Sequence, residues 1–124
     1  MKKRHVIAGA VLALLPLASA HAMDVATFLA KADALQKKGM MALFSGDLKV
    51  LKAEIQESGT RLEAEIKAAR AAGRRTAFCA PGDRAAINSN ELLASFRTIP
   101  PAQRSHVQVK DALRTFLAHK YPCR

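Results

Sequence analysis

The chain has 124 residues, with 20 Lys and Arg against 10 Asp and Glu, two Cys, no Trp and one Tyr. Domains run to roughly 100–200 residues, so one compact core is the most it can hold. A formal net charge of +10 would ordinarily point to nucleic acid or an anionic surface as partner, and the way the charge is distributed along the chain decides between them.

Lys2, Lys3 and Arg4 precede an apolar run from Val6 to Leu17 and the small-residue stretch Ala18-Ser19-Ala20-His21-Ala22. That is the three-part layout of a secretory signal peptide. Two small-x-small sites occur, ending at Ala20 and at Ala22, and the second is preferred because it leaves Met23 and Asp24 at the start of the processed chain. The apolar run is about a dozen residues and contains Pro16, against roughly 20 needed to cross a bilayer, so the protein is not expected to span a membrane. No Cys follows the run to carry a lipid anchor. Removing residues 1–22 leaves 17 basic and 10 acidic side chains and a charge of +7. The expected location is therefore the periplasm, which excludes chromosomal DNA and ribosomes as partners. An acidic protein, an anionic envelope surface or a solvated basic face remain.

Residues 23–124 read as one helical domain. Asp24 is a suitable N-cap, and Val25, Phe28, Leu29, Ala32 and Leu35 line one face of a helix ending at Lys37-Lys38, with Gly39 as C′ residue. Met41, Phe44, Leu48, Leu51, Ile55, Leu62 and Ile66 then form a narrow stripe near the heptad period, with Ser45-Gly46-Asp47 as an interruption and restart. The spacing predicts a long helix over about 47–72, ended by Gly73, with a bend expected near Ser58-Gly59. Its stripe calls for a partner helix, in the same chain or in a second subunit.

A polar stretch from Arg74 to Asp83 follows, with a turn at Pro81-Gly82. Asn88 and Glu91 have capping-box spacing, with Ser89 as a competing cap, ahead of Leu92, Leu93, Phe96 and Ile99; Pro100-Pro101 stops that helix. Val109, Ala112, Leu113, Phe116 and Leu117 mark a fourth helix ending near Lys120. Apart from the short Val107–Val109 step there is no strand-like alternation. The fold class is all-α: a four-helix orthogonal or bundle-like single domain with one long helix and a C-terminal helical hairpin.

Cys79 and Cys123 are an even pair in an exported chain and are expected to form a disulfide that staples this hairpin. Catalytic chemistry finds no support: only His106 and His119 follow the leader, there is no Cys-x-x-Cys, no Gly-x-Ser-x-Gly and no metal-ligand spacing. Glu63 and Glu65 point to different helix faces, while Glu54 and Glu57 sit beside Lys52 and Arg61 as a solvated, salt-bridged face. No enzyme, metal or cofactor is expected. Lys67, Arg70, Arg74 and Arg75 gather at the end of the long helix, where they serve either as dipole-compensating cations or as a basic docking patch for an acidic partner.

The segment Phe78-Cys79-Ala80-Pro81, the capped helix from Ser89 to Ile99 broken by Pro100-Pro101, and Ala112-Leu113 followed by Tyr121-Pro122-Cys123 resemble the periplasmic immunity proteins that protect bacteria from type VI secreted peptidoglycan amidases. The likeness covers the C-terminal half, from Phe78 to Arg124. Ala42-Leu43-Phe44-Ser45-Gly46-Asp47 and the helix after it look like features of a subgroup. The resemblance implies a helical, often homodimeric inhibitor that occludes an amidase effector, with no effector-contacting residue assigned. The alternative is a general periplasmic binding or chaperone-like helical protein without a toxin partner.

Overall fold

A computed structural model describes residues 22–81 and 86–124. The leader-like segment 1–21 and Gly82 of the expected turn lie outside the described residues. These contain four α-helices, α1 (Val25–Lys38), α2 (Gly46–Ala71), α3 (Ser89–Arg97) and α4 (Val109–Lys120), with short 3-10 helices at Gly39–Phe44 and Arg104–His106. The all-α expectation holds.

Helix α1 starts because Asp24, in extended backbone, accepts the Thr27 amide at 2.7 Å, which removes one of the orphan donors of the first turn. The residue before it is tied down as well. Val25 N–H donates to the Val107 carbonyl and Val109 N–H to the Met23 carbonyl, both at 2.9 Å, so Asp24 and Gln108 form an isolated antiparallel bridge. The Val107–Val109 step is the strand-like half of that bridge. Gly39 ends α1 at φ 57° and ψ −129°; its φ is positive as expected, but its ψ is not that of the left-handed helical C′ residue.

Helix α2 begins after Ser45, whose Oγ accepts the Asp47 amide at 3.3 Å, and its helical assignment runs without interruption through Ser58-Gly59. Gly73 (φ +66°) closes it: Gly73 N–H donates to the Arg70 carbonyl and Arg74 N–H to the Ala69 carbonyl. These are the two bonds of a Schellman motif, and they need a residue at positive φ. The sequence stripe is corrected at its start. Met41 and Phe44 belong to the preceding 3-10 turn and are 67% and 85% exposed, because the restart at Ser45 breaks the helical phase between them and Leu48. From Leu51 the register continues through Ser58, Leu62 and Ala69, all buried. The seven-residue step from Ile55 to Leu62 is thus filled by Ser58, small enough to sit at 3% exposure. The partner helices for this stripe are in the same chain, as α2 packs on α1 and, most extensively, on α4.

Asn88, and not Ser89, caps α3 by accepting the amides of Asn90 and Glu91. Among the described residues no reciprocal capping-box bond forms, since the Glu91 carboxylate is taken by Lys120 at 2.6 Å. At the other end of α3 the Arg104 guanidinium donates to the carbonyls of Ile99 and Arg97, both at 2.8 Å, satisfying carbonyls the helix leaves open.

The core joins Val25, Phe28, Leu29, Leu35, Leu51, Leu62, Leu92, Phe96, Val109, Leu113 and Phe116. Phe28 and Phe96 meet edge-to-face with centroids 5.4 Å apart, a favoured aromatic geometry. Cys79 and Cys123 are bonded, with Cα atoms 5.0 Å apart, and Cys79 N–H donates to the Tyr121 carbonyl at 2.8 Å. The disulfide therefore fixes the segment after α2 against the end of α4, next to buried Phe78.

Candidate functional site

Three surface features stand out: an apolar turn, an apolar groove beside it, and the basic end of α2. The turn is the 3-10 segment Gly39–Phe44. Met40, Met41, Leu43 and Phe44 are each at least 65% exposed, and only Ala42 packs against the core. The geometry follows from the chain path: α1 and α2 pack together, and the seven residues joining them, 39–45, leave the large side chains of the turn outside the core. Lys37, Lys38 and Lys49 flank the turn and are exposed. Lys38 Nζ donates to Ser45 Oγ at 3.3 Å, while the nearest acid, Asp47, is held by Lys31 at 3.0 Å. The turn is therefore an apolar projection with a cationic collar. Exposed apolar side chains in contiguity mark interaction sites far more often than scattered ones do, and Met and Phe are enriched at interface cores where charge is depleted.

Behind the turn, no Cα of α2 comes within 8 Å of one in α3. The gap is a groove of about 550 Å³ floored by Phe28, Ala32 and Leu35 of α1, with Leu48, Leu51 and Ile55 on one wall and Leu92 and Leu93 on the other.

The four basic residues at the end of α2 are all exposed, and none forms an ion pair among the described residues. Arg74 and Arg75 border a depression of about 400 Å³ with Leu62, Ile66, Phe78 and Arg114, whereas Lys67 and Arg70 lie outside it. The helix ends between the two pairs, at Ala71.

Other charged residues are structural. Glu65 receives Lys110 at 2.5 Å and Arg114 at 2.7 Å, and these hydrogen bonds hold its carboxyl below the usual 4.5. Arg114 also holds Asp111 at 2.8 Å, and its pKa is raised, chiefly by Glu65. This cluster clamps α2 to α4. Sequence reasoning separated Glu65 from Glu63 by helix face but missed its partners, although Lys110 and Arg114 at i, i+4 already share a face. Arg61 pairs with Glu57 as expected; Glu54 instead accepts from Ser58 at 3.4 Å. Among the described residues no cluster of three His, Cys, Asp or Glu stands ready for a metal ion, and no helix is long and apolar enough to cross a membrane.

The class these features define is an all-α, disulfide-stapled domain whose surface carries an apolar projection and an apolar groove. Comparison with protein-family models, with curated proteins and with solved structures gives no match.

Proposed function

We propose that the protein is exported to the periplasm and works by binding another protein, inserting the Met40–Phe44 turn into a cleft of its target. The observation that carries this reading is the exposure of Met40, Met41, Leu43 and Phe44 on one short projecting turn. Leaving four large apolar side chains in water is unfavourable by roughly 25 cal/mol per Å² relative to burial, and a partner's cleft recovers that energy. The lysine collar suits an acidic rim around the cleft and speeds association.

The resemblance of the C-terminal half to amidase immunity proteins narrows the target to a peptidoglycan amidase effector, with occlusion of its substrate groove as the mechanism. Processing after Ala22 fits this reading, because it retains the Met23 carbonyl that accepts from Val109. The disulfide is in keeping with an oxidising compartment. A second reading, a general chaperone-like binder, is favoured by the adjacent methionines, whose flexible thioethers adapt to varied apolar surfaces.

The test is co-expression in the periplasm with an exported amidase encoded nearby, scoring growth and complex formation. The inhibitor reading expects rescue by the wild type and at least tenfold weaker binding by Phe44→Asp, with an unchanged helical circular dichroism spectrum. Weak capture of many clients with no tight partner favours the second reading, and wild-type strength in Phe44→Asp removes the turn from the interface.

A further inference from the structure

We propose that the groove between α2 and α3 is a binding site for a fatty acid with an acyl chain of about 12 carbons. The inference is independent of the inhibitor reading, which rests on the turn.

The groove is a consequence of how α1 is used. Phe28, Ala32 and Leu35 form the buried floor of the space between two helices that do not meet, and its accessible apolar surface comes from the half-buried Leu48, Ile55 and Leu93 and the exposed Ile87. At about 550 Å³ it lies within the range of small-molecule pockets, roughly 300–1,000 Å³. Its interior is hydrocarbon and its rim polar, with Gln36, Lys52, Gln56, Ser89 and Asn90. Such a division, apolar within and polar only at the mouth, matches a single acyl chain with its head group at the surface.

Charge selects the head group. Among the described residues Lys52 is the one charged residue lining the groove, and none of the lining residues is a carboxylate. Lys52 forms no ion pair among the described residues, so its ammonium is available to a ligand carboxylate. Gln56, one turn further along α2, and Ser89 and Asn90 on α3 add amide and hydroxyl donors to the exposed part of the lining. A cationic amphiphile would meet Lys52 as a like charge, and a neutral one would leave it without a partner.

The test titrates the purified protein with three 12-carbon amphiphiles below their micellar concentrations: dodecanoate, dodecanol and dodecyltrimethylammonium. Calorimetry gives affinity and amide chemical-shift changes give location. One dodecanoate should bind per chain at least tenfold more tightly than dodecyltrimethylammonium, with shifts at Ile55, Leu92 and Leu93. Lys52→Glu, an exposed position whose change spares the core, should weaken dodecanoate at least tenfold and leave dodecanol unchanged. Phe44→Asp should bind dodecanoate as the wild type does, which separates this site from the turn. Equal affinity for the three head groups, no saturable binding, or shifts confined to other surfaces would overturn the proposal. Binding of an amphipathic helical peptide in the groove without any dodecanoate binding would also overturn it, in favour of a partner's helix.

Discussion

Glu65 is the residue through which acid reaches the contact between α2 and α4. Its carboxyl is held below 4.5 by hydrogen bonds from Lys110 and then Arg114, so it ionises more readily folded than unfolded. The stabilisation is therefore present above the ordinary carboxylate range and is lost as pH falls through the lowered folded value. Because the side chain is 42% exposed, solvent screening keeps the effect to about 0.5–1 kcal/mol. Glu65→Gln should remove that contribution at pH 7 and flatten the loss of stability below pH 4.5, as read from urea unfolding at a series of pH values. Lys120 has the opposite sign. Its pKa is raised, chiefly by the hydrogen bond to Glu91, so its contribution is present below the ordinary lysine range and is lost as pH rises through the raised folded value.

Among the elements, α2 separates two uses of glycine. Gly59 lies inside the helix with nothing within 4 Å of an added Cβ, so Gly59→Ala should stabilise the protein by about 1 kcal/mol. Gly73 sits at φ +66°, where a Cβ is unfavourable by about 1–2 kcal/mol, so Gly73→Ala should destabilise although space is equally open. Thermal unfolding of the two variants should move Tm in opposite directions.

The helices themselves were legible from sequence because each carries apolar positions at 3–4 residue steps between recognisable caps. The spacing sets α1 and α4 at their observed bounds, Val25–Lys38 and Val109–Lys120, and places α2 within a residue at each end. What was illegible was phase and tertiary placement. Met41 and Phe44 continue the heptad spacing on paper, and only a break in backbone phase at Ser45 turns them outward. The groove is equally invisible, because spacing says that α1 has an apolar face and is silent on whether two neighbours close over it. Lys52, the charged residue at its mouth, reads in sequence as one more solvated lysine beside Glu54.

For the molecule as a whole, the Cys79–Cys123 bond closes a segment with a sequence separation of 44. In the chain-entropy model such a link is worth about 4 kcal/mol, a large share of the 5–15 kcal/mol typical of native domains. The double variant Cys79→Ser/Cys123→Ser should lower unfolding stability by about that amount and approach the reduced wild type in urea titration. An equal stability with and without the bond would place the rigidity of the α4 end in packing around Phe78 alone.

The projecting turn has a covalent consequence too. Its Met, Leu and Phe residues present to proteases of chymotryptic specificity a stretch of backbone outside both flanking α-helices. A cut there divides the chain into an α1 piece and a remainder carrying α2, α3, α4 and the intact disulfide, with no covalent link between them. Packing of Phe28 and Leu29, the Lys31–Asp47 and Asp33–Arg97 ion pairs and the Met23–Val109 backbone bond are then what hold α1 in place. The nicked protein is a natural two-fragment system in which the affinity of α1 for the rest of the fold becomes a measurable dissociation constant.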